Sequence, residues 1–228
     1  MTRVRVSRFG AVPAAVVSVA AMLLVGCASG KVAEVKRLQA QAAYERGAKD
    51  LDEGRTAMGL SALQEAVALD PDSPLYHNAL GVVYLNLKLQ AEALEELKRA
   101  VDLDGTYGGA LHNLGVAYAM GAKWEEAVRT YKKALALSGY SNLEGTYSNL
   151  GLAYYNLGRL REAEEVLRLA LKLDPRMAAA SYHLGLVLLK AGRQSEAKAE
   201  FLRARNLEPD TPFGLAAQQH LKALGEGG

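Results

Sequence analysis

The residues most able to do chemistry are one cysteine and four histidines. Cys27 is the only cysteine of the 228-residue chain, so no intrachain disulfide can form. No histidine and acid are arranged to activate it as a nucleophile. None of the histidines has a partner four residues away, the spacing that metal binding on a helix favours. We expect a groove or surface position for each of them: His77, His112, His183 and His220.

Acidic pairs and glycine-rich stretches also lack the spacing of a reactive site. Glu95-Glu96, Glu125-Glu126 and Glu164-Glu165 lie close to Lys and Arg residues, as is typical of solvated, ion-paired helix faces. Gly108-Gly109 precedes a helix without the Lys-Ser/Thr of a phosphate loop. The sequence therefore predicts a protein that is not an enzyme. We expect no catalytic residue, no metal, no cofactor and no small-molecule substrate.

The N-terminus has the pattern of an export signal. Arg3, Arg5 and Arg8 precede an apolar run over residues 9–25 that ends at Cys27. The run is ~17 residues long and contains Pro13, which disfavours a membrane-spanning helix. The chain carries 27 Lys+Arg and 25 Asp+Glu, and residues 1–26 hold three of the basic residues and none of the acidic ones. The remaining 24 against 25 leave a near-neutral domain without the charge of a nucleic-acid binder.

A glycine recurs along the chain at nearly constant intervals. Its positions are separated by 34, 34, 36 and 34 residues, and a period of this size marks a repeat array. An alanine follows each glycine by 19 residues, and a Pro or Gly follows it by 24. The recurring glycines are Gly47, Gly81, Gly115, Gly151 and Gly185.

Each period contains two helices. Between Gly81 and Gly115 the apolar residues fall at helical spacing in two blocks, interrupted near Lys88 by a short turn. Small residues such as Gly81 and Ala93 allow the two helices to approach closely. Such a helix–turn–helix cannot bury its apolar face alone and must stack on a neighbour.

The order of these residues resembles the tetratricopeptide repeat (TPR). Leu114-Gly115-x2-Tyr118, Ala127, Tyr131 and Ala134 follow its pattern closely. The resemblance implies an all-α fold, a right-handed α-solenoid of about five helix-turn-helix units. In the first unit Arg46 and Asp50 replace the expected Leu and Tyr, which predicts an exposed face on its first helix. We expect a solenoid over 34–210 and a capping helix over 212–225, with repeats at about 40–73, 74–107, 108–143, 144–177 and 178–211.

The segment Leu24-Val25-Gly26-Cys27 resembles the bacterial lipobox. This resemblance implies cleavage of a signal peptide over 1–26, acylation of Cys27 with palmitate among its lipids, and a short linker over 27–33. The absence of an aspartate after Cys27 implies transfer to the outer membrane in Gram-negative bacteria. The solenoid would then face the periplasm, anchored to the membrane only by its covalent lipid.

Arrays of this kind work through the surface lined by their first helices. Positions counted from each repeat glycine predict a groove that is apolar with a row of amides. Amides both donate and accept, which suits capture of a peptide backbone. Some of these residues would instead pack against the next repeat. The predicted partner-binding residues are Asn78, Val82, Asn113, Val116, Asn149, Leu152, Tyr155, His183 and Leu186.

The combination of lipobox, repeat array and a longer interval between Gly115 and Gly151 is similar to the type IV pilus biogenesis lipoproteins, the pilotins. That resemblance implies a protein partner, the pilus secretin subunits, and a role in secretin assembly at the outer membrane. Two alternatives stay open on the sequence. One is an envelope scaffold that recruits peptidoglycan hydrolases, and the other is a component of another outer-membrane or export complex.

Overall fold

The computed structural model describes the backbone of residues 14–225 and the side chains of residues 31–225. Over this range the chain forms eleven α-helices and no strand, so the all-α prediction is confirmed. The helices are α1 Ala14–Asp52, α2 Thr56–Leu69, α3 Pro74–Asn86, α4 Gln90–Leu103, α5 Gly108–Met120, α6 Trp124–Leu135, α7 Leu143–Asn156, α8 Leu160–Leu173, α9 Ala178–Lys190, α10 Gln194–Leu207 and α11 Pro212–Ala223.

The predictions for the N-terminus lie largely outside this description. The signal peptide over 1–26 and the lipidation of Cys27 fall on residues whose side chains are not described. The predicted linker over 27–33 belongs to α1, which is continuous from Ala14 to Asp52. The helix begins directly after Pro13 and contains no further proline to interrupt it. No helix of the described residues combines the length and apolarity needed to cross a bilayer.

The chain divides into two compact units at Pro71. In the first unit α1 packs against α2 around the buried Ala43, Leu63 and Ala66. Of the two polar residues from which an exposed face of α1 was predicted, Arg46 is exposed, but Asp50 is buried with only 4% of its surface accessible. Its carboxylate accepts a hydrogen bond from Nε of Arg55 at 3.0 Å, and this partner compensates the burial of the charge.

The second unit consists of four helix pairs and a final helix. The pairs are α3 with α4, α5 with α6, α7 with α8, and α9 with α10, and each pair packs on the next. The repeat glycine stands where the helices of a pair cross. A Cβ on Gly151 would lie 2.4 Å from Cγ of Leu167, and one on Gly185 would lie 2.6 Å from Cε1 of Phe201. Glycine therefore sets the close approach within each pair.

The turn inside each repeat has a left-handed residue at one fixed position, seven residues after the repeat glycine. In the second unit this residue is a glycine in two repeats, Gly158 with φ 74° and Gly192 with φ 79°. In the other two it is Lys88 with φ 60° and Ala122 with φ 54°. Side chains with a Cβ disfavour this conformation, so two of the four turns are strained.

The final helix α11 covers the end of the last pair. Its residues Ala217 and Leu221 are buried against α9 and α10. The ring of His220 stacks on Phe201 with centroids 4.8 Å apart, and Phe213 meets His183 edge-on at 5.5 Å. This helix shields the last repeat from water through an aromatic cluster.

Candidate functional site

The exposed side of the first helices has apolar and polar rows. One row lies one residue after each repeat glycine and is half-buried: Val82, Val116, Leu152 and Leu186. A second half-buried row lies four residues after the glycine: Leu85, Ala119, Tyr155 and Leu189. The next residue along is exposed in every repeat of the second unit: Asn86, Met120, Asn156 and Lys190. We call these three rows, together with Asn113 and Asn149 on the same side of their helices, the first-helix face.

Some side chains of the two apolar rows contribute both to the hydrophobic core and to the accessible surface. Val116, Tyr155 and Leu186 pack against the buried cluster of the second unit while keeping part of their area accessible. Nζ of Lys190 lies over the ring of Tyr155, 4.7 Å from the ring centroid. The face thus offers partly accessible apolar side chains beside one cation, an arrangement suited to an apolar segment of a partner.

The predicted amide row is partly used inside the chain. Nδ2 of Asn113 donates to Oδ1 of Asn78 at 2.9 Å, and Nδ2 of Asn78 donates to Oη of Tyr107 at 3.2 Å. These two amides join α3 to α5. Their predicted role in capturing a partner's backbone competes with these internal hydrogen bonds.

Asn149 differs from Asn113 although both lie two residues before a repeat glycine. The residue that corresponds to Asn78 in the preceding repeat is His112, which bonds to Thr146 instead. Within residues 31–225 the Asn149 amide makes no side-chain hydrogen bond. It is half-buried beside Leu152 on the same helix. Asn149 is therefore the predicted amide that is best placed to bond to a partner.

His183 is not a surface residue, and its expected place in the groove is wrong. Only 6% of it is exposed, and its Nδ1 lies 3.4 Å from Oγ of Ser148. Burial lowers the pKa of His183 to about 4, so the ring is neutral at pH 7. His77 is buried as well, with Nδ1 2.6 Å from Oε2 of Glu96. Both histidines serve the packing of the repeats.

No cluster of three or more metal-ligating side chains occurs in the part of the chain that the structure describes. The acidic pairs lie in ion-paired helix surfaces. Glu164, for example, bonds both to Arg168 on its own helix and to Arg193 of the next pair, each at 2.7 Å.

One pocket near the first-helix face was not predicted from the sequence. Tyr140, in the connection between α6 and α7, packs against Gly108 at the start of α5, where a Cβ would lie 2.4 Å from Cδ2 of the ring. Together with His112 these residues line a pocket of about 440 Å³. The signals available in the sequence were the 36-residue interval and the Gly108-Gly109 pair, but neither shows which ring meets which glycine.

Fold, repeat spacing and the matching family models agree on the class of protein. A tetratricopeptide repeat model matches residues 44–108 and 148–212, and a second model of the same repeat matches residues 106–176. The chain belongs to the tetratricopeptide repeat family, and the predicted resemblance is confirmed. Such repeats generally form interaction modules that bind proteins.

The chain is similar to the type IV pilus assembly protein PilF of Pseudomonas aeruginosa. The two are 28% identical over 185 residues, which cover 78% of this chain and 73% of PilF. A shorter similarity, 34% identity over 100 residues, links the chain to the human protein O-mannosyl-transferase TMTC2, of which it covers only 12%.

Solved structures show the same repeat solenoid. The structure of Pseudomonas aeruginosa PilF superposes with a TM-score of 0.65 over 85% of this chain and 95% of that one, at 22% identity. YrrB, described as a TPR protein with an unusual peptide-binding site, superposes with a TM-score of 0.61 over 78% of this chain and 90% of that one, at 20% identity.

Proposed function

We propose that this chain is a lipid-anchored assembly factor of the type IV pilus, which binds secretin subunits through its first-helix face. The observation that carries the proposal is the similarity to the pilus assembly protein PilF, which extends over 78% of this chain rather than over a few repeats. The lipobox at Cys27 supplies the anchor, and the outer membrane is the proposed location. The anchor would hold the face close to the membrane in which the secretin assembles.

The chemistry of the face supports a segment of a protein as its ligand. Leu152 and Leu186 provide partly accessible apolar area, and burial of such area drives association. Asn149 offers an amide that can donate to and accept from a backbone of any sequence. We propose that an apolar segment of the secretin is shielded here until it pairs with neighbouring subunits.

The first test compares unheated membrane extracts of wild-type, deletion and Cys27→Ala cells, blotted for the pilus secretin. We expect the heat-sensitive secretin multimer to disappear on deletion. In the Cys27→Ala strain the multimer should be mislocalised, because the assembly factor is no longer held at the membrane. Unchanged multimers in both strains would contradict the role in pilus assembly and would favour an envelope scaffold with a different partner.

The second test addresses the face itself. The double variant Asn149→Ala with Leu152→Glu should abolish capture of the secretin, since it removes the amide and places a charge in the apolar row. Circular dichroism should remain that of the wild type. Glu165→Ala on the exposed side of α8 serves as the control, and it should bind normally. Retained secretin capture by the double variant would contradict the assignment of the face.

A further inference from the structure

The pocket between the start of α5 and the connection from α6 to α7 is a candidate binding site of its own. We call it the insertion pocket, because the two residues that lengthen the repeat interval to 36 lie in this connection. One wall is formed by Tyr107, Gly108 and His112, and the other by residues 137–142, including Tyr140. Its volume of about 440 Å³ is within the range of small-ligand sites.

The lining of the insertion pocket carries no Asp, Glu, Lys or Arg. This is unusual in a chain of which 23% of the residues are charged. A charged group in the pocket would find no ionic partner among the lining residues, and Glu144, which acts electrostatically on Tyr140, lies outside the lining. The pocket therefore favours a neutral ligand.

A shared hydroxyl fixes the protonation of His112. Oγ1 of the buried Thr146 donates to the carbonyl oxygen of Asn142 at 2.8 Å. Its single proton is then used, so the hydroxyl must accept from both Oη of Tyr140, at 2.6 Å, and Nδ1 of His112, at 2.7 Å. His112 consequently carries its proton on Nδ1, and Nε2 is a hydrogen-bond acceptor.

Nε2 of His112 is the ring nitrogen that the bond to Thr146 leaves unpaired. His112 lines the pocket, and within residues 31–225 its Nε2 makes no hydrogen bond and is not fully buried. Burial also lowers the pKa of His112, which keeps the ring neutral and preserves the acceptor. The lining thus includes the ring that carries this lone pair and the aromatic side chains of Tyr107 and Tyr140.

The pocket is held in shape before any ligand binds. Tyr140 is fixed by its bond to Thr146 and by its contact with Gly108. Asn113, which also lines the pocket, is bonded to Asn78 of the preceding repeat. Because the Asn113 side chain belongs to the predicted amide row, the pocket adjoins the surface on which the proposed partner segment lies. A preformed pocket lowers the ordering cost of binding.

We propose that the insertion pocket binds a neutral aromatic side chain that bears a hydrogen-bond donor, tyrosine or tryptophan, presented by the segment bound along the first-helix face. The ring packs between the aromatic side chains of the pocket, and its O–H or N–H donates to Nε2 of His112. Aromatic anchors in preformed pockets commonly carry much of the energy of an interface. This proposal rests on the proposed function, because the bound secretin segment is taken to present the aromatic side chain.

The test uses the full chain in detergent micelles and small neutral probes, followed by ¹H–¹⁵N NMR. N-acetyl-tyrosinamide and N-acetyl-tryptophanamide should shift the amide signals of Gly108, Gly109 and Gly139. N-acetyl-phenylalaninamide, which lacks the donor, should bind roughly fivefold to tenfold more weakly, the effect of one hydrogen bond. N-acetyl-leucinamide and N-acetyl-lysinamide should leave these signals unchanged.

Variants separate the acceptor from the shape of the pocket. In His112→Phe the preference for the tyrosine probe over the phenylalanine probe should vanish. Tyr140→Leu, which removes one aromatic wall, should weaken all aromatic probes. His220→Phe, in the aromatic cluster at α11, is the matched control and should bind as the wild type does. The spectra of each variant also report whether it is folded.

Other outcomes overturn the proposal. The proposal is wrong if neither donor-bearing probe shifts the three glycine signals. It is also wrong if the tyrosine and phenylalanine probes bind equally well. Shifts caused by N-acetylglucosamine but not by the aromatic amides would reassign the pocket to a glycan. Probe binding with unchanged secretin multimers in deletion cells would keep the pocket and reject the pilus role. Loss of multimers in deletion cells without any binding of the probes would reject the pocket and keep the pilus role.

Discussion

Three polar pairs join first helices of successive repeats in the second unit. Asn78 bonds to Asn113, His112 to Thr146, and Ser148 approaches His183. In each pair the two residues lie 34 or 35 positions apart. Hydrogen bonds between buried or half-buried groups depend on geometry, whereas apolar contacts tolerate sliding. These pairs therefore fix the alignment of one repeat on the next.

The buried ring of His183 gives the protein a predictable dependence on pH. Its pKa is lowered from 6.5 to about 4 in the folded chain, so the unfolded chain binds more protons between these values. Stability is consequently full above pH 6.5 and falls as the pH is lowered through this window. We expect a loss of about 2 kcal/mol from this residue between about pH 7.5 and about pH 5.

Urea unfolding of wild type and His183→Gln at several pH values measures this contribution. The variant should lose most of the pH dependence in this window. A remaining slope of the same sign is expected from His112, whose pKa is also lowered by burial. An unchanged slope in His183→Gln would show that this histidine is not the titrating group.

At the scale of elements, the turn inside each repeat is the least uniform feature. The same left-handed position holds glycine in two repeats of the second unit but Lys88 and Ala122 in the others. The backbone geometry is thus imposed by the packing of the helix pair and not by the residue in the turn. A local preference is overruled by the tertiary contacts on both sides.

Exchanging the residues at this position should change stability in opposite directions. Ala122→Gly relieves the strain of a positive φ and should stabilise the protein by about 0.5–1 kcal/mol, after the larger entropy of glycine in the unfolded chain is counted. Gly158→Ala should destabilise by a similar amount. A Cβ there meets no atom within 4 Å, so the effect isolates the backbone.

Chemical denaturation with a common slope for all variants would measure both changes. If Ala122→Gly and Gly158→Ala shifted the midpoint in the same direction, the strain would not be located at this backbone position.

Most of the helix pattern could be predicted from the sequence because it depends on short-range spacing. The repeat glycines and alanines mark helix crossings, and crossings require small residues wherever they occur. The burial of Asp50 could not be predicted, because its partner Arg55 belongs to the turn that follows. The site was predicted less well than the fold. Whether Asn113 or Asn149 is already bonded depends on which side chain the preceding repeat places opposite it.

At the scale of the whole molecule, α11 is the last helix of the described residues and has no second helix paired with it. Its inner side carries Ala217 and Leu221, and its outer side carries the exposed Leu215 and Gln218. The inner side of the helix therefore packs against α9 and α10, and the outer side faces solvent. Terminal elements of repeat arrays need this polarity to remain soluble.

The two leucines of α11 offer a matched test of this capping. Leu221 is 1% exposed and Leu215 is 49% exposed. Leu221→Ala should destabilise the protein by about 2–5 kcal/mol, because it leaves a cavity in the core. Leu215→Ala should change stability by less than about 0.5 kcal/mol. Thermal unfolding of the two variants distinguishes them, and equal losses would contradict the capping role.

The aromatic cluster under α11 also constrains how such a protein can evolve. The rings of Phe213 and His220 fit against Tyr182, His183 and Phe201, all of which belong to α9 and α10. A copy of any other helix pair inserted after α10 would separate α11 from these rings and place it on a surface that lacks them. Gene duplication can therefore lengthen the array after α10 only by copying α9 and α10 together, because this pair carries the rings on which α11 docks.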